Sequence, residues 1–263
     1  MPELAEVEYY RNLWKKATGA VVKRVELNAE KRVFRKTSPG DLAKKLPGSR
    51  LIQSYTHGKQ MLFGFSNHCW LGVHLGMSGS LKVEPKEYKP QKHDHLVLIT
   101  SKGALVFNDP RMFGLILFEQ SQELPLWWSR LPPDLMSDDF NLERLEKALK
   151  GKTAPLKALL LTQKSFPGLG NWMVDEILWQ AHLKPARQCN SLKSKEKQIL
   201  LERIKTICRV SVERIGQTYG DVPEGWLFHQ RWSPKGKCPL HKTPLKRTVV
   251  AGRTTAWCSE CQR

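Results

Sequence analysis

The chain has 263 residues, 40% of them apolar, which suffices for two domains with cores of their own and excludes wholesale disorder. Lysine and arginine outnumber acidic residues 43 to 25, a formal charge of +18 that calls for a polyanion, nucleic acid first, unless it only keeps the surface solvated. No apolar run reaches membrane-spanning length, and Glu3, Glu6 and Glu8 stand where a signal peptide would be basic, so a soluble intracellular protein is expected.

Residues 5–17 read as a helix, with Val7, Tyr10 and Trp14 on one face and Gly19 ending it. From about Ala20 to Glu119 short apolar or alternating runs dominate: VVKRVEL, RLIQSY, KQMLFGF, CWLGVHL, HLVLIT and ALVFND. One short helix is expected among them around Asp41–Leu46. This density of strands predicts a sandwich or a barrel. Leu124–Asp139, rich in proline and acid, reads as a linker. Beyond it helical spacing takes over, in NLERLEKALKG, TAPLKALLLTQ, NWMVDEILWQAH and Ser194 to about Gly216. No internal repeat is present.

Three cysteines stand alone, whereas Cys238, Cys258 and Cys261 cluster near the C-terminus. Cys238-Pro-Leu-His241 and Cys258-Ser-Glu-Cys261 are separated by sixteen residues, two knuckles with the spacing of a closed structural zinc site. With four protein ligands no coordination position is left for water, so the metal predicted here is structural. LKRTVVAGRTTAW between the pairs reads as a hairpin bearing Lys246, Arg247 and Arg253. Upstream, Pro167-Gly-Leu-Gly170 leads directly into a helix starting at Asn171, where free N–H groups can attract a phosphate; an ordinary tight turn between helices has the same composition.

Taken together, MPELAEVE, GKQMLF, HLGMSGSL, DPRMFG, SDDF, PGLGNWMVDEIL and AGRTTAWC, in this order, resemble the formamidopyrimidine-DNA glycosylase / endonuclease VIII family nearly end to end. The resemblance implies an α+β fold: an N-terminal β-sandwich with flanking helices, then a helical helix-two-turn-helix domain with a C-terminal zinc-finger hairpin. The expected divisions are 1–123 for the sandwich, 124–139 for the linker, 140–225 for the helical domain and 226–263 for the zinc finger. It also implies damaged double-stranded DNA as partner, a monomer, a cytoplasmic or nucleoid-associated location, and a bifunctional DNA glycosylase and AP lyase of base excision repair.

In this reading, removal of Met1 leaves Pro2 with a secondary amine. An α-amino group titrates at about 7.7–8.0, so a useful fraction is nucleophilic at neutral pH. Pro2 attacks C1′ of the damaged nucleotide, Glu3 transfers protons and Glu6 supports the site. Lys59 matches the loop lysine near the sugar and phosphate, and Asn171 and Arg253 match residues that clamp the phosphates. Met77, Arg111 and Phe113 match the trio that fills the gap left by the everted nucleotide. Taken singly, Pro2 and Glu3 also suit a helix start, Lys59 a solvated hairpin, and Met77 and Phe113 a core.

Some positions depart from the family pattern. Ala5 replaces a proline, Met112 an arginine, Thr162 an aspartate and His241 a cysteine. GQTYGDVPEGWLFHQRWSPKGKC, before the zinc hairpin, is shorter than the stretch that closes over an oxidised guanine, which implies a lesion range not restricted to 8-oxoguanine. The competing expectations are a non-catalytic protein of the same fold that binds lesions or abasic sites, and a zinc-containing RNA-binding module.

Overall fold

The structure, a computed structural model, describes residues 1–263. The chain divides into two compact units, Met1–Leu131 and Pro132–Arg263.

The first unit opens with helix α1 (Leu4–Lys15), whose Val7 and Trp14 enter the core; the Trp14 ring packs on Phe63 at 4.9 Å and its indole N–H donates to the carbonyl of Lys82. Helix α2 (Pro39–Lys45) is capped by Ser38, which accepts from the Asp41 N–H. Six strands follow the six expected runs, β1 (Val22–Leu27), β2 (Leu51–His57), β3 (Gln60–Phe65), β4 (Cys69–His74), β6 (Asp94–Thr100) and β7 (Ala104–Asn108), and two more, β5 (Ser80–Glu84) and β8 (Leu115–Gln120), form where no run was singled out. They form two antiparallel sheets, ordered β1-β6-β7-β5 and β2-β3-β4-β8. Of the sandwich and the barrel left open by strand density, the chain adopts two sheets around one core.

Side-chain alternation explains that core. Met61, Phe63, Leu71, Val73 and Ile116 of one sheet meet Leu81, Leu96, Leu98, Leu105 and Phe107 of the other. Val97, Ile99, Ala104 and Val106, on the opposite face of β6 and β7, form a second apolar cluster with Tyr88 packed against it. Burial on both faces is why HLVLIT reads as a continuous apolar run. Helix α3 (Leu126–Ser129) lies within the stretch expected to be a linker and brings Trp127 onto Gly72, where a Cβ would come within 2.5 Å of the ring.

The second unit contains α4 (Leu142–Leu149), capped by Asn141, α5 (Leu156–Leu160), α6 (Asn171–Gln180) and α7 (Ser194–Ser211), which runs on as a π turn through Gly216. TAPLKALLLTQ was expected to be helical throughout, yet only its centre is. Pro155 sits at the N-cap, and the Thr162 hydroxyl donates to the Leu159 carbonyl, competing with helix continuation. Strands β9 (Lys246–Val250) and β10 (Arg253–Trp257) form the predicted hairpin. Its two-residue turn has positive φ at both Ala251 (51°) and Gly252 (70°), the twist a tight antiparallel connection requires. No helix is long and apolar enough to cross a membrane.

Candidate functional site

In the first unit the Met-Pro-Glu start is built into the fold. Glu3 is the N-cap of α1 and nearly fully buried, and its N–H donates to the Glu6 carboxylate at 3.0 Å, so Glu6 fixes the backbone at Glu3. Pro2 is half-buried and stands one residue before the cap. One turn on, the Glu8 carboxylate accepts from Arg11 and Asn12 on its own helix and from the Thr56 hydroxyl on β2. Strand β2 leads into the turn Gly58-Lys59, where Gly58 has φ +56°. The Glu8–Thr56 bond ties α1 to the strand that leads into the lysine turn, and Lys59 is buried rather than a solvated hairpin residue.

His74, on β4, was not singled out from the sequence. It pairs with Gln60, next to Lys59 in sequence. Burial, then the charges of Lys59 and Arg35, lowers its pKa below the ordinary histidine value, which keeps it neutral at physiological pH. Its Nδ1 accepts from the Gly76 N–H at 3.0 Å, so the Nε2 atom carries the proton. A neutral donor beside two cations suits an anionic ligand. Its periodicity is that of any strand histidine; the signal that could have found it is its place at the head of the HLGMSGSL motif, which was quoted for Met77.

Met77 and Phe113 are 36% and 42% exposed, which removes them from the core. The Arg111 guanidinium lies 5.0 Å from the Phe113 ring centroid. Met112, the departure from arginine, has φ +53° and is exposed. The two loops are held against each other: Gly76 has φ +64°, and a Cβ there would meet the Phe113 carbonyl carbon at 2.5 Å. Fully buried Asp109 supplies the tie. It accepts from the Ser78 hydroxyl at 2.6 Å, the Gly114 N–H at 2.7 Å and the Arg111 N–H at 3.3 Å. Sequence reasoning quoted DPRMFG for its arginine and phenylalanine and passed over this aspartate.

In the second unit Asn171 is the first residue of α6, as expected. Gln163 shapes the preceding turn, accepting from the Gly168 N–H and donating to the Leu169 carbonyl. The Asn171 amide nitrogen donates to the carbonyl of Thr254 at 3.0 Å, while its oxygen is buried without a protein partner. Arg253 is exposed at the start of β10, one residue from that carbonyl. Beneath lies a buried ionic cluster that the sequence did not reveal. Lys157 donates to Asp175 Oδ1 at 2.6 Å and to the Thr254 carbonyl at 3.2 Å. Arg231 and the Ala256 N–H both donate to Asp175 Oδ2, at 2.7 and 3.2 Å. Helix α6, helix α5 and the hairpin thus share one carboxylate.

At the base of the hairpin the ligand atoms of Cys238, His241, Cys258 and Cys261 lie within 4.8 Å of one another. His241 Nδ1 is 3.6 Å from Cys238 Sγ and 3.9 Å from Cys258 Sγ. Tetrahedral zinc with bond lengths of about 2.3 Å to sulfur and 2.0 Å to nitrogen separates such donors by roughly 3.5–3.8 Å. The four residues therefore could hold a metal ion, and the histidine fits where the family pattern has a cysteine. The short stretch before them is anchored as well: the Phe228 N–H donates to Glu176 and the His229 ring meets the Val222 carbonyl, while Tyr219 remains 55% exposed.

Residues 1–116 match the model of the formamidopyrimidine-DNA glycosylase N-terminal domain, and residues 131–222 match that of the formamidopyrimidine-DNA glycosylase H2TH domain. The chain is 36% identical to the formamidopyrimidine-DNA glycosylase of Laribacter hongkongensis and 33% identical to that of Psychromonas ingrahamii, over the full length of each protein. Among solved structures, it resembles wild-type Lactococcus lactis Fpg in complex with an oxidized-pyrimidine-containing DNA (TM-score 0.89, 27% identity, full coverage of both chains). It resembles equally MutM in complex with carbocyclic 8-oxo-G containing DNA (TM-score 0.89, 28% identity, full coverage of both chains). Sequence and fold agree along the entire chain, which belongs to the formamidopyrimidine-DNA glycosylase (Fpg/Nei) family.

Proposed function

We propose that the chain is a bifunctional DNA glycosylase and AP lyase of base excision repair, acting on damaged double-stranded DNA. The observation that carries this reading is the buried start of α1: Pro2 immediately precedes a cap held by Glu6, on a helix bonded to the strand that leads into buried Lys59.

Once Met1 is removed, the Pro2 amine attacks C1′ and the bond from C1′ to the damaged base breaks, with Glu3 moving the proton. The sugar ring opens to an iminium, which acidifies the C2′ hydrogens. Loss of one expels the 3′ phosphate by β-elimination, and a second, δ, elimination expels the 5′ phosphate. Lys59 stabilises the sugar-phosphate, and Asn171 and Arg253 clamp phosphates. Met77, Arg111 and Phe113, exposed on two locked loops, occupy the space the everted nucleotide leaves. Cys238, His241, Cys258 and Cys261 hold one structural Zn2+, which fixes the hairpin that carries Arg253. The short stretch before the hairpin favours a lesion range wider than 8-oxoguanine.

Borohydride reduction in the presence of abasic-site DNA tests the chemistry. The native protein is expected to form a covalent adduct with the DNA, and Pro2→Gly and Glu3→Gln to lose most of it. Tight binding with neither adduct nor cleavage would replace this reading with that of a lesion-binding protein. A panel of damaged bases then reads the lesion range.

A further inference from the structure

From Gly225 to Ser259 the chain has seven lysines and arginines and no acidic residue. In this stretch Trp232 is 59% exposed, a large apolar ring left in solvent. It is nonetheless held in place. The Arg231 guanidinium lies over the indole, 4.2 Å from the ring centroid, and Arg231 is itself buried and anchored by Asp175. Phe228 meets the ring edge-on at 5.8 Å and in turn packs edge-on against Trp172 at the start of α6. The Arg247 guanidinium donates to the carbonyls of both flanking residues, Arg231 and Ser233. Lys235 and Lys237 stand exposed alongside.

We propose that Trp232 is a stacking platform for an unpaired nucleobase, and that it extends the substrate range to lesions in single-stranded or bubble DNA. This rests on the DNA-repair reading above and adds a site to it. The ring is already immobilised, so little entropy is lost when a base stacks on it. The surrounding cations neutralise the phosphates of the same strand, the combination of aromatic and basic groups that single-strand binding requires. In paired DNA both faces of a base are covered by its neighbours, so a platform of this kind discriminates in favour of unpaired nucleotides.

The test uses the zinc-loaded full chain and one labelled oligonucleotide with a tetrahydrofuran abasic analogue, presented as a single strand, within a bubble and fully paired. Fluorescence anisotropy at fixed salt compares the native protein with Trp232→Ala and Trp232→Tyr. Trp232→Ala is expected to weaken binding to the single strand and the bubble about tenfold and to the paired duplex less than about twofold, with Trp232→Tyr retaining most of the affinity. Equal losses on all three DNAs, as for a ring resting in a groove, would overturn the proposal, and so would no loss on any. Borohydride trapping of the native protein on paired DNA carrying a true abasic site reads the iminium chemistry of the DNA-repair reading separately, so the two can fail independently.

Discussion

Each unit is organised around one fully buried aspartate, and the two solve the same problem with different donors. In the sandwich, Asp109 accepts from neutral groups: a serine hydroxyl and two backbone N–H groups. In the helical unit Asp175 accepts from Lys157 and Arg231, with one backbone N–H besides. The Asp109 loops already leave paired strands, so only their last few residues need fixing. The β9-β10 hairpin has only two strands and little core, and such a ribbon is marginal without external ties. Strong charged bonds supply part of what packing does not, and a metal ion in the Cys and His cluster, which could hold one, would add to it.

The largest effect expected from this contrast is that of Asp175→Asn, which leaves two buried cations without a counter-charge. It should cost about 3–5 kcal/mol, measured by urea unfolding, and free the hairpin. Lys157→Met, which keeps the Arg231 pair, should cost clearly less; equal losses would mean that the two cations are not held by a shared carboxylate. Next comes Asp109→Asn, which removes acceptors from uncharged donors only. A loss of about 1–3 kcal/mol is expected, with faster hydrogen exchange at the Gly114 N–H. If this substitution were as damaging as Asp175→Asn, the contrast between neutral and ionic ties would fail.

The last expected effect concerns Glu176, a third fully buried carboxyl, and is read from pH rather than from a broken tie. Burial pushes Glu176 up to about 7 from an ordinary value near 4.5, although Gln180 and the Phe228 N–H donate to it. Between those two values the unfolded chain releases a proton that the folded chain retains. Stability contributed by the neutral form is therefore full below about pH 4.5, falls as pH rises through this window, and levels off above 7. Glu176→Gln cannot ionise and should flatten that part of the Tm-against-pH curve, leaving the variant the more stable at pH above 7. An unchanged slope would assign the pH dependence to other groups.

The elements most legible in the chain were those with local causes. Val7 and Trp14 at helical spacing, alternation in KQMLFGF, and the paired knuckles Cys238/His241 and Cys258/Cys261 each carry their signal within a few residues. The Ala251-Gly252 turn between two alternating runs is of the same kind. The candidate residues quoted from the family pattern were legible for a different reason: they fall on loops and termini where a particular residue type recurs in a motif rather than in a period.

Other features became visible only with the fold. His74 acquires its depressed pKa first from burial and then from the charges of Lys59 and Arg35, groups that only the fold brings around it. Lys157, Asp175, Arg231 and Thr254 converge from four segments far apart in sequence, and a buried lysine reads in the sequence like a solvated one. Trp232, which no period or motif set apart, lies in solvent. The sequence by itself thus determined where strands, helices and knuckles form, because propensity, periodicity and ligand spacing act over short range. Which charges lose their water and which aromatics keep it was decided by the tertiary structure, because desolvation depends on everything packed around a group and not on its neighbours in the chain.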